Sequence, residues 1–315
     1  MMPRREWMRR TLAAGTLLAL GSRNLLAQPA DGGLMTRPIP SSGERLPIVG
    51  LGSSATFAQV ARSDEVGALR TVIARMLELG GSVFDTAPQY GDAEEVAARI
   101  AKELGVAQKL FWATKLNVAR GGSADPQQAR RQLETSFERI GKPVIDLVQV
   151  HNMGDPRTQL PILREYKEKG RLRYMGITTT IESQYADLVR TMRSERLDFV
   201  GTDYAIDNRD AEQTILPLAR ERGIAVLVYA PFGRTRLWRR VAGRSVPEWA
   251  REFDATTWAQ FFLKYVASHP AVTAITPATS RPENMADNMA AARGRLPDEA
   301  MRKRMVELVD SLPSA

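Results

Sequence analysis

From residue 48 onward the chain repeats one theme, a short apolar and β-branched run followed by a stretch of helical periodicity. The runs are Ile48–Leu51, Ser82–Phe84, Leu110–Ala113, Leu147–Val150, Tyr174–Ile177, Phe199–Gly201, Ala225–Tyr229 and Val272–Ile275, and each reads as a strand. In the first helical stretch Val66, Leu69, Val72, Ile73, Met76 and Leu77 share one face; Ser63-Asp64 opens it and Gly80-Gly81 stops it. Asp125-Pro126 opens another, with Ala129, Leu133, Phe137 and Ile140 inward and Gly141 closing it. The stretches from Asp210 to Gly223 and from Pro282 to Arg293 repeat the pattern. Alternation of this kind makes parallel strands covered by helices. Eight units in this length fit an α/β fold, the (β/α)8 TIM barrel.

The alternative is an open doubly wound sheet, supported by the G-x-G-x-x-A match at Gly50-Leu51-Gly52-Ser53-Ser54-Ala55. A phosphate-binding turn of that type needs a helix to begin at its third small residue. Here the helical signal starts only at Ser63, so Gly50 and Gly52 read as tight backbone at a barrel mouth. Residues 35–47, turning at Ser41-Ser42-Gly43-Glu44, predict a hairpin that plugs the bottom of the barrel. Pro297 to Leu312 predicts an extra C-terminal helix. The basic segment from Pro231 to Glu248, carrying Trp238, is too long for a plain connector and reads as a substrate or cofactor loop.

Charge raises a different question. The 315 residues hold 44 Lys and Arg against 36 Asp and Glu, a net charge of +8. Arg4, Arg5, Arg9 and Arg10 precede an apolar run from Thr11 to Leu20, with small residues near Ala27 and Ala30. That order is the order of a secretory signal, and Arg4-Arg5-Glu6-Trp7-Met8-Arg9 resembles a twin-arginine export signal. Cleavage after Ala27 removes five arginines and one glutamate, taking the charge from +8 to +4. The expected organisation is a signal at 1–27, with cleavage after Ala30 as the alternative, a linker at 28–34 and one barrel domain at 35–315, exported to the periplasm by the twin-arginine machinery; a basic amphipathic start to a cytoplasmic protein is the competing reading. No other apolar run approaches ~18 residues, so no stable span is expected in the mature protein. Nor does a basic stripe with interleaved aromatics point to nucleic acid. With no cysteine and two histidines, thiol chemistry and a metal centre are not expected.

Barrel chemistry sits at the carboxyl ends of the strands. Those ends carry Asp85 and Tyr90 after the second strand, Lys115 after the third and His151 after the fourth. The strands are neighbours, so the four groups can converge. A lysine ammonium stabilises a nearby phenolate, and Asp85 would hold Lys115 charged. Tyr90 is then a proton donor to a developing alkoxide, and neutral His151 hydrogen-bonds the same oxygen. Such a site reduces a carbonyl and takes its hydride from a cofactor. A barrel hydrolase using Asp85 and Asp203 is the competing reading, and Lys115 and Tyr90 beside Asp85 speak against it. His269, next to Pro270 at a helix end, reads as a cation on the helix dipole.

These residues resemble a known family. Leu51-Gly52, Phe84-Asp85-Thr86-Ala87 with Tyr90-Gly91, Ala113-Thr114-Lys115, Leu147 to His151, Gly170 to Gly176, Tyr229-Ala230-Pro231-Phe232-Gly233 and Pro277 to Asn288 follow, in order, the aldo–keto reductases. The resemblance runs from about residue 35 to the C-terminus. It implies a (β/α)8 barrel that transfers hydride from NADPH, or less often NADH, to a small aldehyde or ketone. It also implies catalytic roles for Asp85, Tyr90, Lys115 and His151. Tyr229 matches the aromatic that stacks on the nicotinamide, and Ala230, Phe232 and Gly233 the backbone along the pyrophosphate. Ser53 falls at the cofactor side of the mouth, Thr178 and Thr179 stand for the usual Ser-Asn carboxamide pair, and Thr279, Asp287 and Asn288 match the adenosine segment. Gly201 replaces the glutamine that usually joins that pair. A lysine and an arginine common in the adenosine segment are Ala278 and Asn284 here, with Arg281 as the remaining cation for a 2′-phosphate; NADP is the expected cofactor and NAD the alternative. Trp238 is expected to cover the substrate pocket. A barrel that binds nicotinamide nucleotide or docks on a partner without catalysis is the alternative to a reductase. An exported enzyme would keep its cofactor tightly bound.

Overall fold

The computed structural model describes residues 33–119 and 122–313. The predicted signal and most of its linker lie outside the described residues. A hairpin comes first, β1 (Thr36–Pro38) and β2 (Arg45–Pro47), paired antiparallel. Eight parallel strands follow: β3 (Leu51–Gly52), β4 (Val83–Asp85), β5 (Phe111–Leu116), β6 (Ile145–Val150), β7 (Leu172–Thr179), β8 (Phe199–Asp203), β9 (Ala225–Tyr229) and β10 (Val272–Ile275). They pair in sequence order, and the last returns to the first. Val49 bridges Ile275, Gly52 bridges Ala278, and the Gly50 and Gly52 amides donate to the carbonyls of Ile275 and Pro277. A Cβ on Gly52 would lie 2.5 Å from the Thr276 carbonyl oxygen, so the seam closes only around glycine. The barrel is the one expected, and the open sheet is excluded.

Eleven helices of the α type lie among the described residues: α1 (Thr56–Val60), α2 (Gly67–Glu78), α3 (Ala93–Glu103), α4 (Pro126–Ile140), α5 (Pro156–Glu168), α6 (Tyr185–Ser194), α7 (Ile215–Arg222), α8 (Arg236–Arg240), α9 (Trp258–Ser268), α10 (Pro282–Ala290) and α11 (Glu299–Ser311). None is long and apolar enough to cross a membrane. Local chemistry sets several ends. Asp125 accepts from the Gln127 amide with Pro126 in the first turn of α4, and Gly141 closes that helix at φ 69°. The one-turn helix α1 differs from the expectation that the first helical stretch begins at Ser63. A buried phenyl, Phe57, anchors α1 with its ring 5.5 Å from that of Phe84; five residues carry no periodicity to read.

Strand periodicity sorts the core into two layers. Apolar side chains of the outer parity pack under the helices. The inner parity gives Val83, Phe111, Ala113, Leu147, Tyr174, Phe199, Ala225, Leu227 and Ala274, and Ile39 and Leu46 of the hairpin join them from below. The Tyr174 hydroxyl also contacts Ser42 Oγ at 2.7 Å and donates to Glu44 at 2.6 Å, which fixes the plug. Two residues further along the same inner columns come Asp85, Lys115, Gln149, Gly201 and Tyr229. The polar layer of the barrel is therefore the next step of the pattern that fills its apolar floor.

Candidate active site

The parity of β4 and β5 brings Asp85 and Lys115 together. Lys115 Nζ donates to Asp85 Oδ2 at 2.7 Å and to the Thr86 carbonyl at 2.8 Å, and both charged side chains are buried. Burial opposes charge on Lys115, yet Asp85 and Tyr90 hold it above the usual lysine range, so it stays an ammonium. Burial pushes the Asp85 carboxyl up, while contact with Lys115 works the other way. Tyr90 sits on the loop after β4, with Lys115 Nζ 5.2 Å from its ring centre. His151 begins the turn after β6 and meets the Tyr90 ring edge-on at 5.9 Å. Burial, then the charge of Lys115, pulls the imidazole down to about 3, so it is neutral at ordinary pH. Its Nδ1 lies 3.2 Å from Gln89 Oε1, and Asn117 donates to its carbonyl at 2.8 Å. The four residues expected to converge do converge.

The residues proposed for the cofactor fall in two places. Ser53, Thr178, Thr179, Tyr229, Ala230 and Gly233 lie at or just beyond the strand ends. Ser53 is fully buried; its amide donates to the Asp85 carbonyl, and its hydroxyl, like that of Thr86, has no hydrogen-bond partner among the described residues. Thr179 donates to Gln184 at 2.5 Å and accepts from the Ile181 amide, so its hydroxyl is already engaged. Gly233 has φ +58°, and a Cβ there would lie 2.6 Å from Asp207 Oδ1. Phe232, Thr279, Asp287 and Asn288 instead line a cavity of about 440 Å³ beside the barrel, with Trp238, Trp258 and Asn284 on other walls. Asp287 accepts from Thr257 Oγ1 at 2.9 Å and from Gln260 Nε2 at 2.7 Å. None of the ten side chains lining the cavity is Lys or Arg, and Arg281 is exposed and outside it.

Two expectations are corrected. Trp238, expected over the substrate pocket, lines the side cavity instead, with its ring 4.8 Å from Phe232 and 5.8 Å from Phe262. His269 is not a cation: burial, then Arg302, pulls it down to about 4, and its ring meets Tyr204 edge-on at 5.9 Å. Asp203 accepts from Tyr185 at 2.7 Å and from Asn208 at 2.9 Å, a set of partners separate from those of Asp85. Gln149, Gln89 and Asn117 were missed. Gln149 carried a signal, a fully buried amide inside the otherwise apolar run Leu147-Val148-Gln149-Val150. Among the described residues no group of three His, Asp or Glu is placed to hold a metal ion.

The structure is a closed parallel barrel whose strand ends carry a buried Lys–Asp pair against a tyrosine and a histidine. The chain belongs to the aldo/keto reductase family, whose model matches residues 48–308. The aldo-keto reductase str7 of Strobilurus tenacellus is 29% identical over 195 residues, 59% of this chain and 56% of that protein. The chain thus spans about half the length of the curated relatives it matches. Among solved structures, the holo form of an aldo-keto reductase from Bacillus halodurans superposes with a TM-score of 0.69 at 22% identity, covering 90% of this chain and 97% of that one. An aldo/keto reductase from Klebsiella pneumoniae in complex with NADP and acetate gives 0.69 at 23% identity, covering 85% and 93%.

Proposed function

We propose that this protein reduces a small aldehyde or ketone with NADPH, with Tyr90 as the proton donor. The observation that carries the reading is the buried Asp85–Lys115 pair, 2.7 Å long and set against Tyr90 beside neutral His151. Lys115 brings a fixed positive charge to the phenol, which favours release of its proton to a substrate oxygen. His151, neutral at working pH, offers that oxygen a hydrogen-bonding ring nitrogen without adding charge. Asp85 keeps Lys115 charged and in register.

The residues present fit a dinucleotide. The Ser53 and Thr86 hydroxyls are buried with no hydrogen-bond partner among the described residues, which leaves both free to meet a ligand. Phe232, Trp238 and Trp258 give the side cavity aromatic walls for a purine, with Thr279, Asn284, Asp287 and Asn288 as polar partners. When bound, the nicotinamide supplies the hydride. NADPH is supported by the neighbour in complex with NADP. NADH is the second reading, favoured by a cavity lined by no Lys or Arg. The basic, twin-arginine-like leader supports export, with the cofactor loaded before transport.

The test is NADPH and NADH oxidation by the purified protein over a broad aldehyde and ketone panel. Tyr90→Phe is expected to lower turnover by about 10²–10⁴-fold with nucleotide affinity retained in a fluorescence titration. A protein that binds nucleotide but reduces nothing in the panel is the non-catalytic barrel instead. Protein recovered from the periplasm and denatured should release nucleotide; none released, or no periplasmic protein, overturns the export reading.

A further inference from the structure

Lys115 is pinned from the end of β4. Its ammonium has three hydrogens. Asp85 Oδ2 takes one at 2.7 Å and the Thr86 carbonyl a second at 2.8 Å, and Tyr90 faces the third, with its ring centre 5.2 Å from Nζ. Tyr90 itself lies on no strand. It sits in the turn that leads into α3, where its amide donates to the Ala87 carbonyl at 2.9 Å and its carbonyl accepts from the Ala93 amide at 3.2 Å. The ring therefore goes where the start of α3 goes. Gln89 ties this turn to the segment after β5 from an exposed position, donating to the Asn117 carbonyl at 3.1 Å. The buried tie is made by Glu94, in the first turn of α3. Its fully buried carboxylate accepts from Thr114 Oγ1 at 2.6 Å, from Ser136 Oγ at 3.0 Å and from Arg139 Nη1 at 3.4 Å. A carboxylate only accepts, so each hydroxyl points its one hydrogen at Glu94. Thr114 directly precedes Lys115 on β5; by strand alternation it points out under the helices while Lys115 points into the barrel. One contact thus joins the strand that carries Lys115 to the helix start that carries Tyr90. Ser136 and Arg139 join the same carboxylate to α4, which carries neither.

We propose that Glu94 is a positioning residue of the proton-donor site: by holding Thr114 it sets the spacing between Tyr90 and Lys115. The proposal rests on the reductase reading. Glu94 and Thr114 are both fully buried, so water does not replace the contact. Without the Thr114 hydroxyl, Glu94 is held by α4 alone, and the start of α3 moves with it relative to β5. Lys115 does not follow, because Asp85 and Thr86 hold it from β4.

Thr114→Val keeps the shape and deletes the donor. The expected result is a kcat about tenfold to a hundredfold lower, with KM and nucleotide affinity within about twofold of wild type, because the change misplaces the proton donor and no binding group. The solvent deuterium isotope effect on kcat rises, since proton delivery becomes the slow step. Ser136→Ala is the control. It takes a donor from the same carboxylate and lowers the unfolding midpoint in the same way, yet leaves the tie to β5, so its kcat stays within about twofold of wild type. Glu94→Gln keeps an oxygen for both hydroxyls and recovers most of the kcat that Glu94→Ala loses; Thr114→Val serves if Glu94→Ala does not fold. A readout independent of turnover uses the nucleotide-free protein. The Tyr90 ¹³Cζ NMR signal, identified by its loss in Tyr90→Phe, shifts in Thr114→Val and stays in place in Ser136→Ala. An unmoved Tyr90 signal in Thr114→Val overturns the proposal whatever the activity. So does a Thr114→Val kcat equal to that of wild type or of Ser136→Ala, which would make Glu94 a stabilising contact and nothing more. A wild-type protein that reduces no carbonyl fails the reductase reading instead, and the Tyr90 signal still separates the two failures.

Discussion

Replacing Lys115 by methionine isolates the energetics of the buried pair. The partners are 2.7 Å apart with side chains 1% and 3% exposed. Unit charges at that spacing attract by roughly 6 kcal/mol at an effective dielectric of about 20, and the cost of burying both ions offsets most of it. Deleting one partner leaves no such balance. Asp85 then loses the cation beside it, in a site where burial already pushes its carboxyl up. Loss of one member of a buried pair costs about 3–5 kcal/mol. With an unfolding slope of about 3 kcal/mol per M urea, the midpoint falls by about 1–1.7 M. The pH dependence follows from the sign of the shift. In the variant the folded Asp85 binds its proton more tightly than the unfolded carboxyl, so the folded state gains relative stability below its raised value and loses it as pH rises. The deficit should be smaller at pH ~5 than at pH ~8. Asp85→Asn combined with Lys115→Met removes the stranded charge and should recover most of the midpoint. Urea unfolding followed by circular dichroism at both pH values reads all of this. A Lys115→Met midpoint equal to wild type, or equal deficits at the two pH values, would refute the reasoning.

Both histidines are held neutral, His151 down to about 3 and His269 down to about 4. The unfolded state therefore binds more protons below ~6.5, and stability should rise with pH across the interval between, by up to about 1.4 kcal/mol per pH unit for each histidine; urea midpoints that stay flat from pH ~5 to ~6.5 would contradict it. Gly52→Ala pushes a Cβ to 2.5 Å from the Thr276 oxygen and should cost about 1–3 kcal/mol in thermal unfolding. Gly67→Ala, at the start of α2 with nothing within 4 Å, should stabilise by about 0.5–1 kcal/mol. Trp238→Ala, with one aromatic wall of the side cavity gone, should weaken binding of an adenosine nucleotide about three- to tenfold by titration.

The sequence by itself determined the alternation of strand and helix, the hairpin below and the four groups at three neighbouring strand ends. Each is local: a period of two or 3.6, a cap, a turn, a residue following an apolar run. The inward columns could be counted along each strand, and Asp85 and Lys115 fall on them. What the sequence left open depends on distances between columns. Gly201 looked like a lost contact when read along β8 alone. Only closure of the barrel shows that the space it vacates is filled by Tyr229 from β9 and Gln149 from β6. Trp238 could not be assigned to a cavity before Phe232, Phe262 and α10 were brought around it. His269 read as a cation because a helix end is visible in sequence, whereas its burial against Tyr204 and Arg302 belongs to the packing of α9 and α11. Local periodicity fixes which way a side chain points; only the packed barrel fixes what it meets there, and charge state and hydrogen bonding follow from the meeting.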